Sequence, residues 1–358
     1  MFKLKYKRED CYSVNFLKNG NTIISGLNGL QLFNNQEFDL TEIRPKGINI
    51  NDNKILISLN FLGDKLLLDN HLNIINKFNS GEDGVECLVN ENNFIHIFYS
   101  SDYSKSYFGL YDIKKSKNSW HFESGINKSY FFKNSFIINF LNKVIYISID
   151  NGSALWQFSN LSNYNWIQKS IYENEPSYLK EAEVIKFLGV YKNLLWIVLN
   201  SGSLLALDSN SGKAKKHIHQ GKPNKEVVKP LNNAWFLYDT FIDEKEGKIN
   251  NLNQDFYLEY DLEKEEDFFE YSTFSESSVQ FGLELNKIAG YDEENIYAYE
   301  GGDNNRFAIF SREKKEIVWS GEIEEVKGQF PALLDVKYSN NKLYVLDKKN
   351  TLHIFEKE

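Results

Sequence analysis

The sequence predicts an all-β chain folded as a single β-propeller of eight four-stranded blades, the N-terminal strand completing the last. Three observations lead there. Aromatic residues make up 15% of the 358 residues, and aromatic and β-branched side chains favour pleated surfaces. Asn and Gly gather in short clusters between alternating apolar runs, the usual composition of hairpin turns. A unit of strand, acidic or polar corner, turn and strand recurs on average every 46 residues or so, the length of a propeller blade.

The corners fall at Asn34, Asp69, Asp112, Asp150, Asp208, Asp261, Ser311 and Glu356. In the first unit, residues 11–17, 20–26, 29–33 and 37–42 read as strands; in the second, 46–51, 54–60, 64–68 and 72–78. The third has 84–89, 93–99, 106–113 and 118–123, and the fourth 128–132, 135–140, 143–149 and 153–158. The fifth has 183–190, 193–199, 203–207 and 213–218. The sixth is read at 233–240, 247–251, 255–261 and 267–272, and the seventh at 286–291, 295–300, 306–311 and 316–322. The eighth supplies only 332–338, 342–346 and 351–355, so residues 2–7 are expected to pair with 351–355 and cover an otherwise open edge. Seven blades is the alternative, should the second or sixth unit not be a blade. The whole chain, 1–358, reads as one domain, with two departures from the period. One is an insertion at 159–181 that holds Tyr164, Trp166, Tyr172 and Tyr178; the other is a polar excursion at 241–254, expected as a long hairpin.

Tyr146–Phe158 and Leu204–Lys216 are the clearest copies of the unit. Asp150-Asn-Gly-Ser-Ala-Leu-Trp156 and Asp208 to Lys213, with Ile317-Val318-Trp319, resemble the repeat of quinoprotein-like β-propellers. In that repeat a strand ending in Leu-Asp turns through Thr-Gly-Lys into a strand carrying a tryptophan. The resemblance implies that Trp156 and Trp319, with Trp120 at the matching place, dock one blade on its neighbour, where a large flat ring buries much area. Asp150 is expected to cap its turn. The enzymes of that family oxidise alcohols or sugars with a quinone and calcium, but their adjacent Cys-Cys pair and Cys-x-x-Cys-His haem site do not occur here. A noncatalytic branch is therefore implied.

Charge and candidate chemistry agree with that. The net charge of −9 is unevenly placed, +1 in residues 1–180 and −10 in residues 181–358 (22 Lys+Arg against 32 Asp+Glu), so general nucleic-acid binding, which needs a basic surface, is not expected. Two cysteines, Cys11 and Cys87, are too few for a disulfide framework. With no apolar signal segment at the N-terminus and no membrane span, a cytoplasmic, monomeric chain is expected. His217 and His219 share a strand face, a spacing that can grip a metal, yet no third ligand can be named, and a solvated pair is favoured. The carboxylates of 259–267 lack the glycine of a helical calcium loop and read as a solvated turn. No Gly-x-Ser-x-Gly elbow occurs. No catalytic residue, cofactor or metal is assigned.

What remains is recognition. Tyr and Trp are enriched at binding hot spots, so Tyr164, Trp166, Tyr172 and Tyr178 are the candidate anchors, with Glu263, Glu265 and Glu266 as a negative rim should they share a face. The expected role is a noncatalytic propeller that binds a protein partner, a basic one on charge grounds, through its loops; an immunity-type protein neutralising a toxin is one version. The rival is an enzyme or small-molecule sensor working from the axial funnel.

Overall fold

Phe2–Arg8 does not pair with Cys11–Phe16, the strand next to it in sequence, but with the last strand of the chain, Leu352–Lys357, in antiparallel register from Phe2↔Lys357 to Arg8↔Leu352. This completes a sheet with Leu333–Ser339 and Lys342–Asp347. The computed structural model describes every residue except 1, 35–36, 42, 44, 52–53, 60–62, 81–83, 100–104, 124–125, 133–134, 141, 169–175, 224–235, 238 and 254. Its strands form the eight blade sheets of a β-propeller, as the period predicts.

Two compact units divide the chain, one made of Met1–Ser124, Ala289–Arg312 and Val318–Glu358, the other of Gly125–Ile288 and Glu313–Ile317. In the first unit, blade one is Cys11–Phe16, Thr22–Gly26, Gly29–Asn34 and Glu37–Thr41, and blade two is Gly47–Asn51, Lys54–Ser58, Asp64–Leu68 and Ile74–Asn79. Blade three runs from Gly84–Asn90 to Lys117–Glu123. Apolar side chains of facing sheets fill the space between them. Ile23, Leu30, Ile55 and Leu68 are fully buried between blades one and two. Phe2, Tyr297, Phe307, Val336 and Leu343 form the core between blades seven and eight. Burial of each such side chain contributes roughly 1.5–3 kcal/mol.

In the second unit, blade four is Ile126–Phe132, Ser135–Phe140, Lys143–Ser148 and Ala154–Phe158. Blade five is Val184–Tyr191, Leu194–Leu199, Leu204–Asp208 and Ala214–Ile218. Ile137, Val144, Leu195, Ile197, Leu205 and Leu207 pack between them.

The Asp corners act as turn caps. Asp69, Asp112, Asp208 and Asp261 each accept backbone N–H groups of the turn that follows, for example Ser211 N at 2.8 Å on Asp208. Asp150 differs. Its side chain is exposed, and the turn is capped one residue later by Asn151, whose Oδ1 accepts Ser153 N at 2.9 Å and Ser153 Oγ at 2.7 Å.

Blade six departs from its expected bounds. Its strands are Thr240–Asp243, Lys248–Asn253, Phe256–Asp261 and Phe268–Thr273, so the stretch 241–254 is the blade's own first hairpin. Two things hide it in the sequence. Asn250 and Asn251 stand fully buried where apolar residues would announce a strand, held by Tyr257 Oη on Asn250 Oδ1 (2.7 Å) and by Asn251 Nδ2 on Thr240 Oγ1 (2.8 Å). The charged run before them is a tight turn, with Lys245 N and Glu246 N on Asp243 Oδ1 and Gly247 at φ +65°. A fifth strand, Gln220–Pro223, pairs parallel with Phe268–Thr273, a pairing between distant residues that no local pattern announces. A short helix, Ser275–Phe281, follows and ends at Gly282 in the left-handed region.

Candidate binding surface on the inserted hairpin

The insertion after blade four has a buried root and an exposed tip. From Phe158 the chain makes a 3-10 turn, Leu161–Tyr164, that drives Leu161 into the core between blades four and five. Two short antiparallel strands follow, Trp166–Gln168 and Tyr178–Lys180. Tyr172 lies outside the described residues.

Polar groups pin the root. Asn165 Oδ1 accepts Ala182 N at 2.9 Å, so the two ends of the insertion are tied together. Asn200, in the turn between the second and third strands of blade five, works as a clasp. Its Oδ1 accepts Trp166 Nε1 (3.1 Å) and Glu183 N (3.2 Å), and its Nδ2 donates to Glu181 O (2.9 Å). Tyr164 packs edge-on against His217, with ring centroids 4.8 Å apart. Two of the aromatics picked out in the sequence, Tyr164 and Trp166, thus hold the hairpin to the blade.

The tip is another matter. The register sets Ile167 opposite Leu179, between the pairs Trp166↔Lys180 and Gln168↔Tyr178. Because successive strand residues face opposite sides, Ile167 and Leu179 share the face turned away from Trp166. They are 65% and 68% exposed, and Tyr178 is 50% exposed. On the other face Lys180 Nζ lies 5.9 Å from the Trp166 ring centroid and 5.7 Å from that of Tyr178. The residues that sequence reading missed are therefore Ile167 and Leu179. Their signal was the alternation in Trp166-Ile-Gln and Tyr178-Leu-Lys, visible once each triplet is taken as a strand.

The acidic corner is not beside this surface. The insertion enters blade five at Val184, which pairs with Leu199 at one end of the sheet. Glu263 binds at the other end, accepting Tyr191 Oη at 2.5 Å and Lys192 Nζ. Those two bonds, Lys192 first, hold the Glu263 carboxyl below the usual range. Glu265 is exposed there, and Glu266 lends its backbone carbonyl to Tyr260 Oη at 3.0 Å. Glu263 thus clasps blade six to blade five, and the three carboxylates form no rim around Ile167 and Leu179.

The histidine pair is likewise committed within the fold. The rings of His217 and His219 stack 4.9 Å apart, and His217 Nε2 lies 3.0 Å from Ser203 Oγ. Burial, with a smaller contribution from His219, pushes His217 down to about 4, so it is neutral at neutral pH. No group of three or more His, Cys, Asp or Glu residues is placed to hold a metal ion among the described residues.

Of the three tryptophans at the docking positions, Trp156 and Trp319 reach a neighbouring blade, and Trp120 makes ring contacts within its own blade. A bulge between Ala154 and Trp156 leaves Leu155 outside the pairing and turns Trp156 toward blade five. There Trp156 Nε1 donates to Ser209 O at 2.8 Å, and its ring covers Gly212, where a Cβ would lie 2.5 Å from it. Trp319 packs against Phe2 of the closing strand (5.9 Å) and against Phe307 (5.8 Å). Trp120 stacks on Phe122 at 6.0 Å within its own blade. In blade five the matching residue is Lys216, which reaches blade six through Tyr260 Oη (3.1 Å) and Lys264 O (3.0 Å).

No protein-family model matches the chain, nor does any curated protein sequence. Solved structures do match along its whole length. BamB from Moraxella catarrhalis aligns over all of both chains at 11% identity with a TM-score of 0.57. The C-terminal WD40 domain of Sif2 covers 100% of this chain and 99% of its own at 12% identity, and Saccharomyces cerevisiae Sqt1 covers 100% and 98% at 10%, each with a TM-score of 0.60. At such identities the likeness is one of fold, and it establishes the chain as a β-propeller.

Proposed function

We propose that this chain is a noncatalytic propeller of the quinoprotein-like type that binds a protein partner through the inserted hairpin. The observation that carries the reading is the Ile167–Leu179 pair, two large aliphatic side chains held in solvent by a hairpin whose root is pinned at Asn165, Trp166 and Asn200. Preorganisation of this kind lowers the ordering cost of association, and an exposed apolar anchor on a pinned scaffold is what an interface centre needs. The docking of Trp156 under the Asp208–Gly212 turn supports the family reading. The charge of −9 supports a basic partner, whose capture it would accelerate. Neither Cys11 nor Cys87 is joined in a disulfide, which suits a reducing, cytoplasmic setting. An acidic monomer that occludes a basic toxin, as an immunity-type protein does, fits these features.

The test is capture of the partner from the native cell, followed by affinity measurement with Ile167→Asp/Leu179→Asp and with Glu265→Gln/Glu266→Gln. The hairpin variant is expected to bind at least about thirtyfold more weakly, the scale of a lost hot spot. The variant at the opposite end of the sheet is expected to bind nearly as well as the wild type. Equal binding by the hairpin variant would remove the hairpin from the interface.

A further inference from the structure

A cleft of about 350 Å³ opens in the second unit, lined by Lys128 and Ser129 from the first strand of blade four, Ile185, Lys186 and Phe187 from the first strand of blade five, and the segment Phe236, Leu237 and Asp239 that leads into blade six. We infer that it binds a carboxylate carried on a small apolar body.

The charge of the lining points to an anion. Residues 181–358 are strongly acidic, yet this cleft presents two ammonium groups and one carboxylate. The carboxylate is already engaged, since Asp239 Oδ2 accepts Ile288 N at 3.0 Å. Lys186 Nζ donates to the backbone oxygen of Thr240 at 2.9 Å, which fixes the amine at the wall and leaves its other donors available. The backbone of Lys128 pairs with Asn139 in the sheet, and among the described residues its ammonium makes no hydrogen bond or ion pair. The donor capacity left over is cationic.

The rest of the lining selects the body of the ligand. Ile185 is half-buried and Leu237 exposed, so these two offer the apolar surface, and Phe236 and Phe187, buried in the core, back them. The volume lies at the lower end of small-molecule sites, which are mainly apolar with a few placed polar groups. Among the described residues of the lining there is neither an arginine nor a helix N-terminus, the devices that favour phosphate. One negative charge also balances the lining among the described residues, where two lysines face one aspartate. A carboxylate of this kind has two sources, a free small acid or an Asp or Glu side chain of a polypeptide. Neither requires the hairpin, so this inference stands apart from the proposed function.

The experiment is a calorimetric titration of the full chain at low ionic strength with phenylacetate, with phenethylamine, and with a blocked tetrapeptide carrying Asp beside Phe. Phenylacetate, the peptide or both are expected to bind saturably at one site and more weakly as salt is added, and phenethylamine is expected not to bind. The double variant Lys128→Ala/Lys186→Ala is expected to lose at least about tenfold in affinity while keeping the wild-type melting curve, since both side chains are exposed. Tighter binding of the tetrapeptide assigns the site to a polypeptide carboxylate, and tighter binding of phenylacetate to a free acid. No saturable binding of either acid up to about 10 mM, unchanged binding by the double variant, or equal binding of phenethylamine would overturn the inference.

Discussion

Replacing Trp156 by alanine is expected to lower the unfolding free energy by about 3–5 kcal/mol, the cost of emptying a large aromatic site in a packed core. The ring joins two blades. It is nearly buried among Ile137, Leu205 and Leu207, roofs the Gly212 turn, and gives its indole N–H to Ser209 O. Truncation therefore loses apolar burial and leaves the Ser209 carbonyl without that partner. Trp156→Phe is expected to recover most of the packing and not the hydrogen bond, leaving a deficit of about 1 kcal/mol. Gly212→Ala attacks the same contact from the other side, because its φ of +69° disfavours an L side chain and the new Cβ would collide with the ring. Trp166 provides the contrast. Its ring is half-buried at the hairpin root, outside the blade cores, so Trp166→Ala is expected to cost less than half as much in global stability. Urea unfolding followed by circular dichroism checks all four. A loss below about 1 kcal/mol for Trp156→Ala, the average for point mutants, would contradict the wedge role.

The place of Trp156 is legible in the sequence because its causes are local. Asp208, Asn210 and Ser211 build the turn through bonds spanning two or three residues, and the bulge that aims Trp156 lies within five residues of its corner. The same locality explains why Asp150 misled: Asn151 is as good a cap and stands next to it. Blade six resisted for the opposite reason, since the bonds that hold its buried Asn250 and Asn251, from Tyr257 Oη and to Thr240 Oγ1, come from partners found only after folding, and its fifth strand pairs with residues 48 positions away.

The candidate site was legible as a place, not as a surface. Aromatics in an insertion mark a segment that packs or binds, and Trp166 packs while its neighbour Ile167 is exposed. Only the hairpin register separates those roles. The acidic corner could have been set apart from topology alone. In a meander of four strands, the turn between the third and fourth lies at one end of the sheet, and the connection from the fourth to the next blade leaves from the other. Glu263 sits in a turn of the first kind and the insertion is a connection of the second.

The second large effect is expected at the ring-closing blade, where Asp347 and His353 form a buried pair 2.9 Å apart at 1% and 2% exposure. Asp347 Oδ1 also accepts Lys349 N (2.8 Å) and Thr351 N (2.9 Å), so one carboxylate shapes the turn that delivers Leu352–Lys357 to the N-terminal strand. Asp347→Ala strips acceptors from three donors, one of them on the buried imidazole, and is expected to cost about 1–3 kcal/mol for each donor left buried without a partner. The pH dependence separates charge from shape. Burial raises the Asp347 carboxyl, but the bonds from His353 and from the Thr351 and Lys349 amides outweigh it and leave the group below the ordinary range. A carboxylate depressed in the folded state binds fewer protons there than in the unfolded chain. Its contribution is therefore fully present above the unfolded value, near 4, and is lost as pH falls through the folded one. Asp347→Asn keeps an oxygen for the turn amides and removes the titration. It is expected to be less damaging than alanine at pH 7, and its stability is expected to fall less steeply than the wild type's between about pH 5 and pH 2. Urea unfolding at stepped pH reads both. Parallel acid limbs for Asp347→Asn and the wild type would show that the carboxylate stabilises this turn by shape alone.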